Sequence, residues 1–398
     1  MPVSKEFSKR LKALPEYLFV EIDRAKKEVQ ASGVDVIDLG IVDPDRPTPD
    51  KIIEAMERGT KDPANHQYPT NYGMIEFRQK TAAWYLKRFG VELDPEAEVL
   101  PVLGSKEGIG HIPLAFVNPG DVVLVPDPGY PVYRAGTITA GGEPYPMGLV
   151  EENAFLPLLG EIPLEMAERA RLMFINYPNN PTAAVASEEF FGEVVLFAEE
   201  NDVIVCHDAA YSEMTYDGYV APSFLSVEGA KEVGIEFNSL SKTYNMTGWR
   251  IGFAVGNAQI LAGLAKVKSN VDSGMFQALQ VAGIAALTED LSDFRKTQVA
   301  TYQRRRDLLC DGLTTIGWRI EKPKGGLCVW ARLPGNVSSS SAAIDLLCKA
   351  AVVVAPGVGF GKYGQGYVRF SLACPEEKIK QAVKRIEPVY SEWTKGVS

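Results

Sequence analysis

Between residues 99 and 255, short apolar, β-branched runs alternate with longer amphipathic segments, which is how parallel strands and crossover helices look in one dimension. The pattern predicts strands over residues 99–103, 122–125, 172–175, 203–207, 235–239 and 251–255. None of these runs alternates cleanly with polar residues, as expected when both faces of a sheet are covered. Loops at the carboxyl ends of such strands are where folds of this kind carry their chemistry. After residue 290 the pattern changes to a long, polar, arginine-rich helix over 291–313, then strand-like pieces at 329–333, 352–354 and 367–372. These read as a smaller α+β unit. Residues 1–46 read as helical and then extended, with Pro44, Pro47 and Pro49 at the close, and are expected to pack on that smaller unit. The resulting division is an N-terminal segment of 1–46, a large domain of 47–290 and a small domain of 291–398, without internal repeats or a long linker.

Composition narrows the function. A chain of 398 residues, 46% hydrophobic and 23% charged, can bury a large core. A net charge of −10 argues against nucleic acid as a partner, because phosphate backbones are held by clustered lysine and arginine. The one basic run, Arg304 to Arg306, reads as a solvated helix face. No charged-then-apolar leader opens the chain, and no apolar stretch approaches the roughly 20 residues needed to cross a bilayer. A cytoplasmic protein with no membrane partner is therefore expected. The five cysteines are scattered and read as reduced packing residues, and the three histidines lack ligand spacing, so no metal site is expected.

The central chemical signal is the run from Ser239 to Arg250, which contains Lys242 and lies between two predicted strands. A lysine amine at a strand end can form an imine with an aldehyde cofactor, while nearby hydroxyls and Arg250 supply donors for a phosphate. Asp208 follows the apolar strand 203–207, where an unpaired carboxylate is costly to bury. A protonated pyridine nitrogen would satisfy it, and the protonated ring would then accept electron density from an adjacent carbanion. The plain alternative for Asp208 is a turn or helix-capping role. Tyr211, three residues on, is placed to donate to a ring oxygen. Residues 176–182 form a proline-rich loop that holds side-chain amides rigidly. Gly104, Ser105 and Lys106 open a helix whose free N–H groups suit a phosphate, and Tyr130 either faces a planar ring or simply packs.

In this order, the segments resemble the class I/II aminotransferases, the fold-type I enzymes that use pyridoxal 5′-phosphate, over essentially the whole chain. The resemblance implies an α/β fold: a large domain with a mostly parallel seven-stranded sheet between helices, plus a smaller α+β domain. It implies that Lys242 is the Schiff-base lysine, Asp208 the partner of the pyridine nitrogen, and Tyr211 with Asn180 the pair bonding the ring oxygen. Ser239, Arg250, Gly104, Ser105 and Lys106 match phosphate-binding positions, and Tyr130 the ring-stacking aromatic. Tyr68 matches the tyrosine that reaches the neighbouring subunit's phosphate, and Arg369 the clamp on the substrate's α-carboxylate. A planar guanidinium suits that clamp, since two parallel bonds fix which α-bond stands perpendicular to the ring. By the same resemblance the active sites are shared across a homodimer.

Within the family the chain looks most similar to the bacterial LL-diaminopimelate aminotransferases, through residues 17–24, 239–253 and 303–307. Departures fall around the expected substrate pocket. Val42 and Ala183 stand where relatives usually have glycine, and Val42, Gly40, Asn71 and Tyr72 are the substrate-facing candidates. Between Tyr68 and Gly73 the acidic residue expected to meet a distal ammonium is missing, and Cys328 and Val358 replace more usual neighbours. The expected reaction is ping-pong transamination between an L-α-amino acid and a 2-oxo acid, with Lys242 as general base. A competing expectation is a repurposed enzyme that uses the same carbanion for β/γ-elimination or replacement, for instance on S-adenosylmethionine, in specialised metabolism. A dehydrogenase reading of residues 357–361 is weak, because the spacing is wrong for G-x-G-x-x-G and no acidic residue sits at the ribose position.

Overall fold

The computed structural model describes residues 5–14, 19–31 and 33–395; Tyr17 and Leu18, in one of the stretches that carry the resemblance, lie outside them. From the N-terminus, a two-residue strand β1 (Ile37–Asp38) precedes seven strands that share one sheet. These are β2 (Val99–Val102), β3 (Val122–Asp127), β4 (Glu143–Gly148), β5 (Ala170–Asn176), β6 (Ile204–Asp208), β7 (Gly234–Ser239) and β8 (Gly252–Gly256). Their spatial order is β2-β8-β7-β6-β5-β3-β4. Only β8 runs against the rest: it pairs antiparallel with both β2 and β7, while the other pairings are parallel. The chain leaves β3 for the edge strand β4 and returns to β5 on the other side of β3, which makes a crevice at the strands' carboxyl ends.

Successive residues of the central strands divide between two apolar layers. Val122, Leu124, Met173 and Ile175 enter one core cluster, and Val123, Val125, Leu172 and Phe174 enter another. Side chains alternate across a strand, so both faces must be apolar, and each fully buried valine or leucine contributes about 1.5–3 kcal/mol. This is the physical reason the runs lack polar alternation. The first layer gathers an aromatic cluster around fully buried Phe253, whose ring centroid lies 6.1 Å from those of Trp84 and Tyr85 and 6.2 Å from that of Phe77.

Strand β4 was not among the expected strands. Its sequence holds Pro144 and Pro146, which lack N–H donors and argue against a central strand. At the sheet's edge this is tolerated, because prolines two apart leave donors missing on one side only, and that side can face outward.

A third core joins the helices Ser292–Thr315, Ser339–Ala350 and Glu376–Thr394 to a three-stranded antiparallel sheet of β9 (Cys328–Arg332), β11 (Ala355–Pro356) and β12 (Tyr367–Ser371). Strand β10 (Val352–Val353) instead pairs with β1, placing Ile37 beside Val352, and Ser371 donates to the Leu39 carbonyl at 2.7 Å. The segment around residues 37–40 is thereby stitched to the C-terminal part. One expectation is corrected. Arg304 is exposed, but Arg305 and Arg306 are buried: Arg305 makes a two-pronged bond to Asp45 (2.7 and 2.8 Å), and Arg306 pairs with Asp217 and Asp307. A run of like charges is solvated only if no carboxylate folds over it, and here three do. Among the described residues no helix is long and apolar enough to cross a membrane.

Removing the hub of the aromatic cluster tests this layering: Phe253→Ala is expected to cost about 3–5 kcal/mol. The unfolding midpoint in urea would fall while its slope stays unchanged.

Candidate active site

Strand register decides which side chains meet at the sheet's carboxyl edge. Asn176 ends β5 beside Asp208 of β6, and Asp208 lies beside Phe237 of β7. The Asn176 amide donates to the Asp208 carbonyl at 2.6 Å, and its oxygen accepts from the Asn180 N–H at 2.7 Å, which ties the proline-rich loop to the neighbouring strand. Over these ends lies a cavity of about 700 Å³, the size of a small-molecule site.

Of the residues singled out from sequence, Val42, Ser105, Lys106, Tyr130, Asn180, Asp208, Tyr211, Ser239, Lys242, Arg250 and Arg369 line this cavity. Gly104 and Gly40 sit immediately behind its wall: Gly40 receives the Arg369 Nη2 proton on its carbonyl at 2.6 Å. Gly104 has φ 77°, and a Cβ there would lie 2.3 Å from Arg250 Nη2, so only glycine leaves room for that guanidinium. Tyr68, Asn71 and Tyr72 are not brought in. Tyr68 is 92% exposed, and Tyr72 lines a separate cavity of about 440 Å³.

Two ionisable groups are withdrawn from water here. Asp208 is buried, and burial raises its carboxyl above the usual range against an opposing hydrogen bond from Tyr133. Its oxygens accept from the Tyr133 hydroxyl at 2.9 Å and the Ala210 N–H at 3.3 Å, neither of them cationic. Lys242 occupies the one-turn helix Leu240–Thr243, which is capped by the Ser239 oxygen accepting from the Ser241 N–H, and its Nζ donates to the Val42 carbonyl at 2.7 Å. Burial lowers its pKa to about 8; Asp43 opposes the shift, and the positive charges of Arg369 and Arg250 add to it.

Arg369 comes from β12, where its guanidinium lies 4.7 Å over the Phe360 ring and donates to Asn180 Oδ1 at 2.8 Å. That bond assigns the Asn180 amide, turning its NH₂ into an available donor. Arg250 adopts left-handed backbone (φ 59°), and Nη1 donates to the Thr247 carbonyl at 2.9 Å. Such a conformation costs about 1–3 kcal/mol for a side-chain-bearing residue, and here it presents the guanidinium beside the start of helix Ser105–Phe116. Sequence reasoning missed Tyr133, the hydroxyl donor to Asp208, and Phe360, the ring under Arg369. Tyr133 lies in the helix Pro131–Ala140, one turn after Tyr130, and had no local signal.

This donor set fits pyridoxal phosphate. A buried carboxylate with only neutral donors suits a protonated ring nitrogen, a lysine with a lowered pKa suits an aldehyde, and the Arg250 guanidinium seated against Gly104 at the helix start suits a phosphate. Fold and site together define a pyridoxal-phosphate-dependent transferase of fold-type I. The family model for aminotransferase class I and II matches residues 34–386, and the chain belongs to that family. It is 54% identical over 385 residues to the LL-diaminopimelate aminotransferase of Moorella thermoacetica, covering 96% of this chain and 98% of that one. It is 56% identical over 379 residues to the enzyme of the same name from Desulforudis audaxviator, covering 95% and 96%. Among solved structures, BacF from Bacillus subtilis in its apo form superposes with a TM-score of 0.93 at 38% identity, over 97% of this chain and 98% of that chain. A mutant aspartate aminotransferase from Thermus thermophilus gives 0.91 at 29% identity, over 97% and 100%. The chain is thus a pyridoxal-phosphate-dependent aminotransferase similar to the LL-diaminopimelate enzymes. The elimination or replacement reading finds no support among these relatives.

Lys242 offers a direct check on its setting. In the cofactor-stripped protein, the rate at which Lys242 is labelled by an amine-directed reagent should rise with a midpoint near pH 8, because only the neutral amine reacts. Peptide mass mapping at each pH reads the site; a midpoint at that of ordinary surface lysines would contradict the burial argument.

Proposed function

We propose that this chain moves the amino group of an L-α-amino acid to a 2-oxo acid in ping-pong fashion, with Lys242 as the residue that holds the cofactor and shuttles the α-proton. The observation that carries this is the pairing of a buried carboxylate with only neutral hydrogen-bond donors at the end of β6 with a lysine of lowered pKa just beyond β7, both on one cavity. Pyridoxal phosphate supplies an aldehyde that captures amines and a ring that takes up negative charge from the α-carbon.

The chain's own residues divide the remaining work. Asp208, held by Tyr133, would keep the ring nitrogen protonated. Asn180 and Tyr211 would donate to the ring oxygen, and Tyr130 would cover the ring face. Gly104, Ser105, Lys106, Ser239 and Arg250 would hold the phosphate through helix N–H groups, hydroxyls and charge. Arg369 grips the α-carboxylate with two parallel bonds, already aimed by Asn180, Gly40 and Phe360. With the carboxylate so fixed, Lys242 would take the α-proton, and its pKa near 8 would leave a useful fraction of neutral amine at physiological pH. Gly40 and Val42 are assigned to the substrate's side-chain end, and Asn71 and Tyr72, which lie outside this chain's cavity, to the same end of the partner's site.

Tyr68 is almost fully exposed and outside its own cavity, which supports a homodimer in which it reaches the partner's phosphate. We assign the protein to the cytoplasm, and its domains to residues 47–290 and 291–398 with 1–46 packed on the latter. Diaminopimelate, the substrate in the relatives' name, is the first amino donor to test.

Adding an amino donor alone to the yellow purified protein is expected to bleach it, and a 2-oxo acid should restore the colour, with parallel initial-rate lines. Lys242→Ala should abolish turnover. Release of a leaving group from the β or γ carbon without bleaching would overturn the proposal. Arg369→Lys keeps the charge but loses the two-pronged geometry, and is expected to raise KM for the amino acid by about 10- to 100-fold.

A further inference from the structure

Behind the start of helix Ser105–Phe116, outside the cavity, lies a cluster of charges that the mechanism above does not use. Lys268, in helix Ala258–Val271, is 1% exposed. Its Nζ donates to Glu107 Oε2 at 2.8 Å and to Asp272 Oδ2 at 2.9 Å. The same Glu107 oxygen accepts from the Leu103 N–H at 3.0 Å, and the other oxygen meets His111 Nδ1 at 2.6 Å. Glu107, His111 and Asp272 lie close enough together to hold an ion, but the ammonium of Lys268 already bonds two of them.

The placement matters because of what lies on the other side of Leu103. Its carbonyl is 3.5 Å from Arg250 Nη2, and the next three residues are Gly104, Ser105 and Lys106. One partly buried carboxylate therefore fastens the loop that leads into the phosphate-binding helix start. Glu107, the third residue of that helix, also sits where it competes with any bound anion for the helix's positive end. A partly buried negative charge within one turn of a dianionic phosphate would repel it, since screening by water is reduced there.

We propose that Lys268 is a positioning residue for the cofactor's phosphate: it neutralises Glu107, so that the carboxylate can fasten Leu103 without repelling the anion. Asp272 moderates the effect by sharing the ammonium. This inference rests on the assignment of the phosphate to residues 104–106.

The test compares dissociation constants of the cofactor-stripped full chain for pyridoxal phosphate and for pyridoxal, which lacks the phosphate. Their ratio isolates the anion's contribution. Lys268→Met should lower the preference for the phosphorylated form by about 10-fold while leaving pyridoxal binding within about 2-fold. Adding Glu107→Gln to Lys268→Met removes the uncompensated charge on the phosphate-binding helix itself, leaving only that of Asp272, and should restore most of the preference, which a packing role for Lys268 would not predict. Asp272→Asn, which frees the ammonium for Glu107, should leave the preference equal or higher, and it keeps the inference testable if Lys268→Met does not fold. An unaltered ratio in Lys268→Met, a double variant as weak as the single one, or a lowered ratio in Asp272→Asn would overturn the inference. A ratio near one in the unsubstituted chain would instead overturn the phosphate assignment itself, and the inference with it.

Discussion

A carboxylate and an amine held out of water at the ends of neighbouring strands are the constraint from which the rest of the site follows. Asp208 closes β6 and Lys242 stands just past β7, and burial raises the pKa of the first and lowers that of the second. Burying either alone is costly. The structure answers with neutral hydrogen-bond donors on the carboxylate and a backbone carbonyl on the amine, which leaves both able to exchange those contacts for a bound cofactor.

Why such groups gather at this edge is a matter of sheet geometry. With both faces of the seven-stranded sheet covered by apolar layers, polar side chains along the strands are few and satisfied by partners, as where buried Glu236 bonds His207 and Tyr85 and buried Asn238 bonds Ser212. Six strands run the same way, so their carboxyl ends present Asn176, Asp208 and Ser239 to one crevice. The second side of the crevice comes from elsewhere in the chain. Arg369 on β12 bonds Asn180 and Gly40, joining three segments separated by more than a hundred residues each. The buried ion pairs of Arg305 and Arg306 belong to the same scheme: they attach Asp45 and Asp217 to the long helix that carries the C-terminal core.

Much of this was legible in one dimension. All six expected strands of the large sheet lie within two residues of the observed ones, because fully buried strands announce themselves as apolar, β-branched runs. Eleven of the proposed site residues line the cavity, because each sits at or near a strand end or loop with a local chemical reason to be there. Strand β4 escaped because its prolines contradict every strand preference except that of an edge. Arg305 and Arg306 were misjudged as solvated because two of their carboxylate partners, Asp45 and Asp217, are far away in sequence. Tyr133 and Lys268 were missed for a like reason: each looks like an ordinary helix residue until its partner, Asp208 or Glu107, is brought against it.

The amino-acid sequence alone determined the order of strands and helices, the apolar faces that force them into a covered sheet, and the lysine, aspartate and arginine that bear the chemistry. These follow from local preferences and periodicity, which act within a few residues. Tertiary structure decided which charge is neutralised by which, and how far each proton affinity moves. It also decided that Tyr68 lies exposed outside its own cavity while Arg369 lines it. Those outcomes depend on burial and on distances between residues remote in the chain, and such quantities exist only once the layers have packed.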